Sequence, residues 1–387
     1  MSAFMLNENQ VMLAESARKY VERGYGSAVR AASLAHADGC SAQRWAEFAE
    51  MGWLALPLPE AEGGLGGSLA DMCVLAEEMG RALVVEPWLA SGVLAATLLT
   101  TAGCPEQRAA WLPKLAAGEK RIAFAAWEPG SRFDATQVGA HAEVVAGGHR
   151  LDGVKELALG AGGADAVIVC AKQKAADGSM QPTLFLIEAG APGLALQGYA
   201  MIDGRHAAQV ALRNVLVPTA ARLGAEVDVA AAIAHAIDTA MVVQCAETTG
   251  AMARGLEITL EYLKTRKQFG KVLAANQVLQ HRLVDLHVAV EETRALVRAA
   301  ALVSGSSATE RGHYAAAAKA FACQAARTAW EEVVQLHGAI GMTDEYLIGA
   351  YVKHLAASHA LFGDAEQHLE RIAAVDEQLH RPSASKG

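Results

Sequence analysis

The chain has few aromatic residues and no paired cysteines, and each shortage excludes a class of protein. Aromatic side chains make up 5% of the 387 residues, so aliphatic side chains must fill the core. The six cysteines are widely spaced and include no C-x-x-C pair. They therefore indicate small buried residues in a reducing compartment, and neither a disulfide framework nor a zinc site.

Positive charge is also scarce. Lys and Arg number 33 against 42 Asp and Glu, which gives a formal net charge of −9. No basic cluster is long enough to bind phosphates nonspecifically. The first residues lack the basic and apolar regions of a signal peptide, and no apolar run reaches the roughly 20 residues of a membrane span. We therefore expect no nucleic-acid partner, no membrane span and a cytoplasmic location.

Three stretches with different patterns of apolar and turn residues predict three domains. Residues 1–120 repeat apolar side chains at three- and four-residue steps, which is typical of helices. Residues 121–226 alternate short apolar runs with turn residues, which indicates an antiparallel β barrel or sandwich. Residues 227–387 return to long helical segments with short loops, the pattern of a four-helix bundle. The sequence thus predicts an α+β protein: an N-terminal helical domain, a middle β domain and a C-terminal bundle.

Local signals place individual elements. Ser41 is a plausible helix N-cap, Pro113 should end a helix, and Asp152-Gly153 should form a turn. The main predicted helices are Leu69–Leu83, Ala230–Arg266, Asn276–Ser304, Ala315–Gly338 and Ala365–Leu379, and the predicted strands are Ile122–Trp127, His141–Val145, Ala166–Ala171, Thr183–Ile187 and Gln209–Leu212.

The most informative segment follows the first long C-terminal helix. It carries Arg266-x-Gln268-Phe269-Gly270, followed by Gln277. Arg266 offers a planar guanidinium for a pyrophosphate, and Gln268 offers an amide for directional hydrogen bonds. Phe269 offers a ring face for an adenine, and Gly270 lets the backbone turn. Together these residue types suit a dinucleotide, although Arg266 alone would more often be a surface residue at a helix C-terminus.

Two further segments accompany this one. The first runs from Trp45 to Trp53 and continues into the glycine-rich residues 59–67. The second contains Gln335, His337 and Gly338, and extends to residue 346. In this order, the three segments resemble the signature segments of the acyl-CoA dehydrogenases.

The resemblance implies a fold and a reaction. Members of this family bind FAD between the β domain and the C-terminal bundle, and they oxidise acyl-CoA thioesters to the 2,3-enoyl form. A carboxylate removes the α-proton while the β-hydrogen leaves as a hydride to the flavin. An electron-transferring flavoprotein usually takes the electrons, and the proteins are dimers or larger.

The resemblance also assigns cofactor residues. Arg266, Gln268, Phe269 and Gln277 match the FAD positions of one subunit. The pair Gln335 and Gly338 matches the positions that meet the cofactor across the subunit interface.

The β domain departs from the family pattern. Trp127-Glu128-Pro129 stands where the family has Thr or Ser before Glu-Pro, so Trp127 is counted among the cofactor-binding residues. Leu157 and Leu159 stand where a Trp and a Thr or Ser usually face the flavin ring. A hydroxyl donor to the flavin N5 is therefore missing.

Both usual positions of the catalytic base are empty. Phe362-Gly363-Asp364 replaces the usual Glu-Gly-Thr, and Ala240 occupies the alternative position on the first bundle helix. Two carboxylates lie near these positions. Asp364 is one candidate base, with a helix N-cap as its alternative role. The other is Glu247, on the same helical face as Ala240, and its alternative role is a buried structural hydrogen bond.

Other polar residues carry less weight. Asp238 is a weaker third candidate base. His281 and His337 have no carboxylate at ligand spacing, so no metal site is expected.

The chain is most similar in detail to the small subunit of pimeloyl-CoA dehydrogenase and related bacterial proteins. This implies either a homodimer or homotetramer, or a heterotetramer with a second acyl-CoA dehydrogenase subunit. A non-catalytic subunit and a flavin oxidase or monooxygenase remain alternatives to a dehydrogenase.

Overall fold

Helices, then strands, then helices follow one another along the chain, as the sequence predicts. The computed structural model describes residues 5–175, 177–224, 227–268, 270–343 and 346–380. The helices are α1 (Glu8–Gly24), α2 (Ser27–Leu34), α3 (Ala42–Glu50), α4 (Leu69–Ala82), α5 (Ala96–Ala102), α6 (Pro105–Ala116), α7 (Val229–Thr265), α8 (Gln277–Leu302), α9 (Ala308–His337), α10 (Ile348–Ala360) and α11 (Ala365–His380). The strands are β1 (Ile122–Ala125), β2 (His141–Val145), β3 (Gly148–Leu159), β4 (Ala166–Lys174), β5 (Met180–Glu188), β6 (Leu194–Ala200), β7 (His206–Pro218), β8 (Arg222–Leu223), β9 (Lys267–Gln268) and β10 (Lys271–Val272).

Two local predictions in the N-terminal helices have different outcomes. The Ser41 hydroxyl accepts a hydrogen bond from the Arg44 backbone N–H at 3.4 Å, which confirms it as the N-cap of α3. The prediction that Pro113 ends a helix is wrong, because α6 continues through it to Ala116. Proline removes a single backbone donor there, and the Ala117 N–H still closes the last turn on the Pro113 carbonyl at 3.0 Å.

The middle of the chain forms a mainly antiparallel sheet in the order β6-β7-β3-β2-β4-β5-β8, with β1 paired to β4. Only the pairs β1–β4 and β2–β4 run parallel among the described strands. The turn predicted at Asp152-Gly153 is wrong, because both residues lie inside β3. The register against β7 shifts there, and a Cβ on Gly153 would lie 2.5 Å from the Cβ of Ala140. The glycine therefore marks a bulge.

The described chain divides into two compact units. The first contains the residues up to Lys19, Cys73–Leu83 and those from Met241 onward, and the second contains Tyr20–Met72 and Val84–Ala240. The predicted helical C-terminal region is confirmed, and α10 adds a fifth helix that the sequence analysis did not predict. Aliphatic side chains of α7–α10 form the core of the first unit; among them are Met252, Ile258, Leu263, Leu286, Val290, Val333, Leu336, Ile348 and Leu355.

One helix of the described chain, α7, is long and apolar enough to cross a membrane by length and composition alone. Of its most apolar stretch, 72% is buried inside the protein. Its apolar side chains therefore pack as those of a core helix do.

Two glycines let α4 and α7 cross with their backbones in contact. A Cβ on Gly80 would lie 1.9 Å from the carbonyl oxygen of Glu247. A Cβ on Gly250 would lie 1.8 Å from the carbonyl oxygen of Glu77. At each of these two positions, therefore, only glycine fits, because its side chain is a single hydrogen atom.

We expect Gly250→Ala to lower the free energy of unfolding by roughly 1–3 kcal/mol, because the added methyl group must push two backbones apart. Gly255→Ala is the matched control on the same helix, since the nearest atom to its Cβ is Ile348 Cδ1 at 3.9 Å. That control should gain up to about 1 kcal/mol from helix propensity. Urea unfolding followed by circular dichroism measures both, and equal effects would contradict the crossing as described.

Candidate functional site

The residues that suit a dinucleotide lie at the exposed end of α7. Gly270 has a φ of +78° and turns the chain between β9 and β10, whereas Phe269 lies outside the described residues. Arg266, Gln268 and Gln277 are exposed, and their side chains make no hydrogen bond or ion pair with the described part of the chain. These donors are therefore available to a ligand.

The second motif adjoins the first. Tyr262, one turn before Arg266, donates a hydrogen bond from its hydroxyl to the carbonyl of His337 at 3.2 Å. The two rings stack with their centroids 4.6 Å apart. His337 lies between Gln335 and Gly338, and both of these are exposed. Within this chain the two motifs therefore lie side by side, and the role of Gln335 and Gly338 across a subunit interface stays a prediction.

His337 is buried at this junction. Its Nδ1 lies 2.8 Å from the carbonyl oxygen of Val333, so Nδ1 carries the proton and Nε2 is an acceptor. Nε2 is buried and has no hydrogen-bond partner among the described residues. Burial lowers the pKa of His337, and the bond to Val333 offsets part of this effect. The imidazole is therefore neutral at neutral pH.

An ion pair fixes the loop that carries Trp127 in the second unit. Trp127 is 5% exposed, and its indole N–H donates to the carbonyl of Phe133 at 3.3 Å. Glu128 accepts hydrogen bonds from Lys155 Nζ at 2.5 Å and from the Ala140 N–H at 3.0 Å. Burial acts to raise the pKa of Glu128, but these two donors hold that pKa below its usual range.

The strand positions that face the flavin in the family carry no hydroxyl. The register between β3 and β7 shifts between Lys155 and Ala158, so Leu157 lies in a bulge. Leu157 has a φ of +52°, a left-handed conformation that costs a leucine roughly 1–2 kcal/mol. Leu159 pairs with Ala207 and is buried. A strained residue therefore stands where the sequence analysis placed a flavin contact.

Asp364 follows a tight turn between α10 and α11. Phe362 and Gly363 have φ values of +61° and +105°. One carboxylate oxygen of Asp364 accepts a hydrogen bond from the Gln367 backbone N–H at 2.9 Å, which makes Asp364 the N-cap of α11. Its side chain is half-buried. The capping role is thus visible in the structure, and the role as a base stays a prediction.

Glu247 lies on the buried face of α7 that the sequence predicted. It is 7% exposed, and Ala240, Gln244 and Ala251 on the same face are 1% exposed or less. Asp238, the third candidate base, is also buried, at 3% exposed. A role for Glu247 as a base likewise stays a prediction.

Sequence analysis did not identify Lys319 as part of this region. Lys319 lies on α9, is 1% exposed, and donates from Nζ to Gln244 Oε1 at 2.8 Å and to the Ser358 carbonyl at 2.6 Å. Gln244 precedes Glu247 by one helical turn, and Ser358 lies near the end of α10, before the turn that leads to Asp364. In the sequence, Lys319 stands out because it is the one charged residue between Tyr314 and Arg327.

Titratable side chains surround Lys319. Cys323, one turn further along α9, has its Sγ 3.3 Å from the carbonyl oxygen of His359. Burial raises the pKa of Cys323, whereas Lys319 lowers it. Burial and Lys319 lower the pKa of His359, and Asp364 acts in the opposite direction. We call Lys319, Cys323, His359 and Asp364 the Lys319 cluster.

The described residues contain no group of three or more His, Cys, Asp or Glu side chains that could hold a metal ion. His281 is exposed on α8. The donor set is instead one of guanidinium and amide groups on an exposed surface, and these groups fit the phosphates and polar edges of a dinucleotide such as FAD.

The described chain is thus built of helices, then a β-sheet, then helices, and it carries exposed guanidinium and amide groups near the end of α7. Family models of the acyl-CoA dehydrogenase N-terminal and C-terminal domains match residues 7–119 and 230–375. The chain belongs to the acyl-CoA dehydrogenase family, FAD-dependent oxidoreductases that act on acyl-CoA thioesters.

Individual relatives span nearly the whole chain. Acyl-CoA dehydrogenase IpdE2 of Mycolicibacterium smegmatis is 30% identical over 95% of this chain and 99% of its own. Acyl-CoA dehydrogenase fadE12 of Mycobacterium bovis is 30% identical over 80% of this chain and 81% of its own. A variant of the Tcur3481–Tcur3483 steroid ACAD has a TM-score of 0.86 and 29% identity, and the match covers 96% of this chain and 98% of that one.

We expect His337 to make the stability of the protein pH-dependent. Its pKa in the folded state lies below the value of about 6.5 in the unfolded chain, so the unfolded state takes up a proton first as the pH falls. The contribution of His337 to the free energy of unfolding is therefore complete above about pH 6.5. Below that pH the contribution is lost, by at most about 1.4 kcal/mol per pH unit. Urea unfolding at about pH 7.5 and about pH 5.5 should therefore show a smaller loss for His337→Phe than for the wild type.

His281→Phe is the control for this measurement, because His281 is exposed on α8. It should keep the pH dependence of the wild type. An unchanged dependence in His337→Phe would show that His337 is not the group responsible.

Proposed function

We propose that the chain is an FAD-dependent acyl-CoA dehydrogenase that forms the double bond between Cα and Cβ of an acyl-CoA thioester. The observation that carries this proposal is the exposed donor set, in which Arg266, Gln268 and Gln277 have no side-chain partner among the described residues and adjoin the segment of Gln335 and Gly338. Exposed guanidinium and amide donors near two helix ends suit an anionic dinucleotide.

The proposed roles at the cofactor follow from residue chemistry. Arg266 pairs its guanidinium with the pyrophosphate, Gln268 and Gln277 orient polar edges, and Phe269 covers the adenine. Gln335 and Gly338 follow in the adjoining segment, and Trp127 is the residue of the second unit that the resemblance assigns to the cofactor. FAD, when bound, supplies the ring that accepts the β-hydrogen as a hydride.

A carboxylate must take the α-proton and hold it on one of its oxygens. Asp364 is our first candidate because it is half-buried at a turn, where a substrate can approach, whereas Glu247 is 7% exposed. Glu247 is the second candidate because it lies on the face of α7 that the family uses for its alternative base. The electron acceptor we propose is an electron-transferring flavoprotein.

A second function has its own support. The missing hydroxyl at Leu157 and Leu159, and the phenylalanine at position 362 in place of the usual glutamate, favour a partner-dependent subunit that completes the site of another chain. The similarity to small subunits of the pimeloyl-CoA type agrees with this reading. So does the steroid ACAD relative, whose name joins two gene products. Such a subunit would form a heterotetramer with a second acyl-CoA dehydrogenase chain, in place of a homodimer or homotetramer.

The visible absorption spectrum of the purified chain tests the proposal. Flavin bands that bleach when one thioester from an acyl-CoA series is added anaerobically support a self-sufficient dehydrogenase. Bound flavin that no thioester bleaches supports the partner-dependent subunit. Peroxide release in air with acyl-CoA supports an oxidase, and the absence of flavin with every candidate partner overturns the proposal.

We expect Asp364→Asn to slow bleaching by about 10²–10⁴-fold while FAD stays bound, because the amide cannot accept the α-proton but can still cap α11. Stopped-flow absorbance under anaerobic conditions measures the rate. Glu247→Gln is the matched comparison. If Asp364→Asn bleaches at the wild-type rate and Glu247→Gln does not, the base lies on α7.

We expect Arg266→Lys to weaken FAD binding by roughly tenfold or more, because a lysine cannot form the two parallel hydrogen bonds of a guanidinium. Quenching of flavin fluorescence on titration into the apoprotein measures the dissociation constant. Arg213→Lys is the control, since Arg213 is exposed on β7 and far from this motif in the sequence. Equal affinities of wild type and Arg266→Lys would remove Arg266 from the site.

A further inference from the structure

A tyrosine lies on the sheet face where the family has a flavin-facing hydroxyl. The resemblance assigns the flavin ring to positions 157 and 159 of β3, and both are leucine. Tyr199 of β6 pairs with Ala207 of β7, and Ala207 pairs with Leu159 of β3. Residues that pair directly across strands point to the same face of a sheet. Tyr199 and Leu159 therefore share one face, with one strand between them.

The strand between them leaves room for the phenol ring. Ala207 is buried, and its side chain is a single methyl group. Neighbouring strands lie about 4.8 Å apart, and aromatic side chains reach across such a distance to diagonal neighbours. The ring of Tyr199 can therefore lie across β7, with its hydroxyl at β3.

The hydroxyl of Tyr199 meets the bulge of β3. Burial raises the pKa of the Tyr199 phenol, a hydrogen bond from the Leu157 backbone acts to lower it, and the charge of Glu156 acts to raise it. The balance leaves this pKa above its ordinary value, so the phenol is protonated at neutral pH. Leu157 is the residue of the bulge with a φ of +52°. Its backbone N–H donates to the phenol oxygen, so the phenol keeps its own hydrogen for a further acceptor.

A residue already assigned to the cofactor meets the same stretch of β3. The Glu156 N–H donates to the Trp127 carbonyl oxygen at 2.8 Å, and Lys155 Nζ donates to Glu128. Residues 155–157 thus hold the loop of Trp127 and also meet the hydroxyl of Tyr199. The resemblance names Trp127 from sequence, whereas Tyr199 lies outside every motif and is brought here by strand pairing.

Tyr199 is also the accessible member of this group. It is 41% exposed, whereas Trp127 and Leu159 are 5% and 8% exposed. Its O–H donates no hydrogen bond to the described part of the chain. A purely structural role on an edge strand would need the ring of a tyrosine and not its hydroxyl. A hydroxyl on the face of Leu157 and Leu159, with a hydrogen to donate, suits an acceptor that these leucines leave without a donor.

We propose that Tyr199 supplies the hydroxyl that β3 lacks, and that its O–H donates a hydrogen bond to N5 of the oxidised flavin ring. This inference rests on the proposed function, because it requires FAD at the site. It makes Tyr199 a cofactor-binding residue that no sequence motif contains.

Three variants separate the hydroxyl of Tyr199 from the ring that carries it. Tyr199→Phe removes the hydroxyl and keeps the ring. Tyr314→Phe is the matched control, because it makes the same chemical change at an exposed tyrosine of α9. Tyr199→Phe combined with Leu159→Thr returns a hydroxyl to the position that carries one in the family.

Two readouts apply to each variant, and neither requires turnover. Quenching of flavin fluorescence on titration into the apoprotein gives the dissociation constant of FAD. Resonance Raman spectra of the bound oxidised flavin show the bands that involve N5, whose positions change when N5 loses a hydrogen-bond donor.

We expect Tyr199→Phe to bind FAD roughly three- to tenfold more weakly than the wild type, which corresponds to the loss of about one hydrogen bond, and to shift the N5 bands. Tyr314→Phe should match the wild type in both measurements. The double variant should return the N5 bands toward their wild-type positions, because the threonine hydroxyl donates to the same atom.

Several outcomes would overturn the inference. Unshifted N5 bands in Tyr199→Phe, at full or reduced affinity for FAD, leave Tyr199 a structural residue of the edge strand. If Tyr199→Phe does not fold, Tyr199→Leu takes its place under the same criterion. A wild type that binds no FAD, alone or with any candidate partner, overturns the proposed function together with this inference. A wild type that binds FAD and bleaches with a thioester, beside an unshifted variant, overturns the inference alone.

Discussion

The first unit depends on the contact between the backbones of α4 and α7. Because neither Gly80 nor Gly250 has a side chain, the carbonyl oxygens of Glu247 and Glu77 occupy the space where Cβ atoms would be. Glu247 thus supplies one of the two contacting carbonyls, and the crossing fixes its place along the helix. An ion pair between Arg81 and Glu257 at 2.9 Å links the same two helices further along. The crossing therefore also sets where the later residues of α7 lie relative to α4.

The two ends of α7 differ in how their polar groups are satisfied. Near the crossing, Gln244 is 1% exposed and bonds to Lys319 and Thr248, so its amide is satisfied by the protein. At the C-terminal end, Arg266 and Gln268 are exposed and have no partner in the described chain. A satisfied buried network stabilises one arrangement of side chains, whereas exposed donors can exchange water for a ligand. One helix therefore connects the proposed cofactor end to the proposed proton-transfer end.

Local patterns predicted much of the fold because they depend on neighbours in sequence. The three- and four-residue periodicity and the glycine stops placed α8 and α11 within a few residues. The same reasoning missed β3, because Asp152-Gly153 resembles a turn unless the approach of Ala140 is known. Local sequence was also enough to propose a dinucleotide motif, because the residue types at positions 266–277 are adjacent in the chain. The adjacency of the two motifs depends on the stacking of Tyr262 on His337, which are 75 residues apart, and no local pattern contains that contact.

Lys319 illustrates a signal that was present but not used. A single charge within an alanine-rich helical stretch must either face solvent or be buried with partners, and its neighbours at three- and four-residue spacing are apolar. Those neighbours, Ala315, Ala316 and Cys323, are buried, so the lysine shares a core-facing side of α9. Sequence periodicity can therefore identify such a buried charge. Its acceptors, Gln244 and the Ser358 carbonyl, lie on other helices and follow from tertiary packing alone.

The turn after α10 combines a left-handed glycine with a helix cap. Gly363 has a φ of +105°, which side chains other than hydrogen adopt at a cost, and a Cβ there would lie 2.1 Å from Gln367 Oε1. The same backbone geometry places the Asp364 carboxylate at the N-terminus of α11, where it accepts the Gln367 N–H. Position 362, where the family pattern has a glutamate, carries phenylalanine, so the capping Asp364 supplies the carboxylate of this turn. One backbone conformation thus serves both the glycine turn and the start of α11.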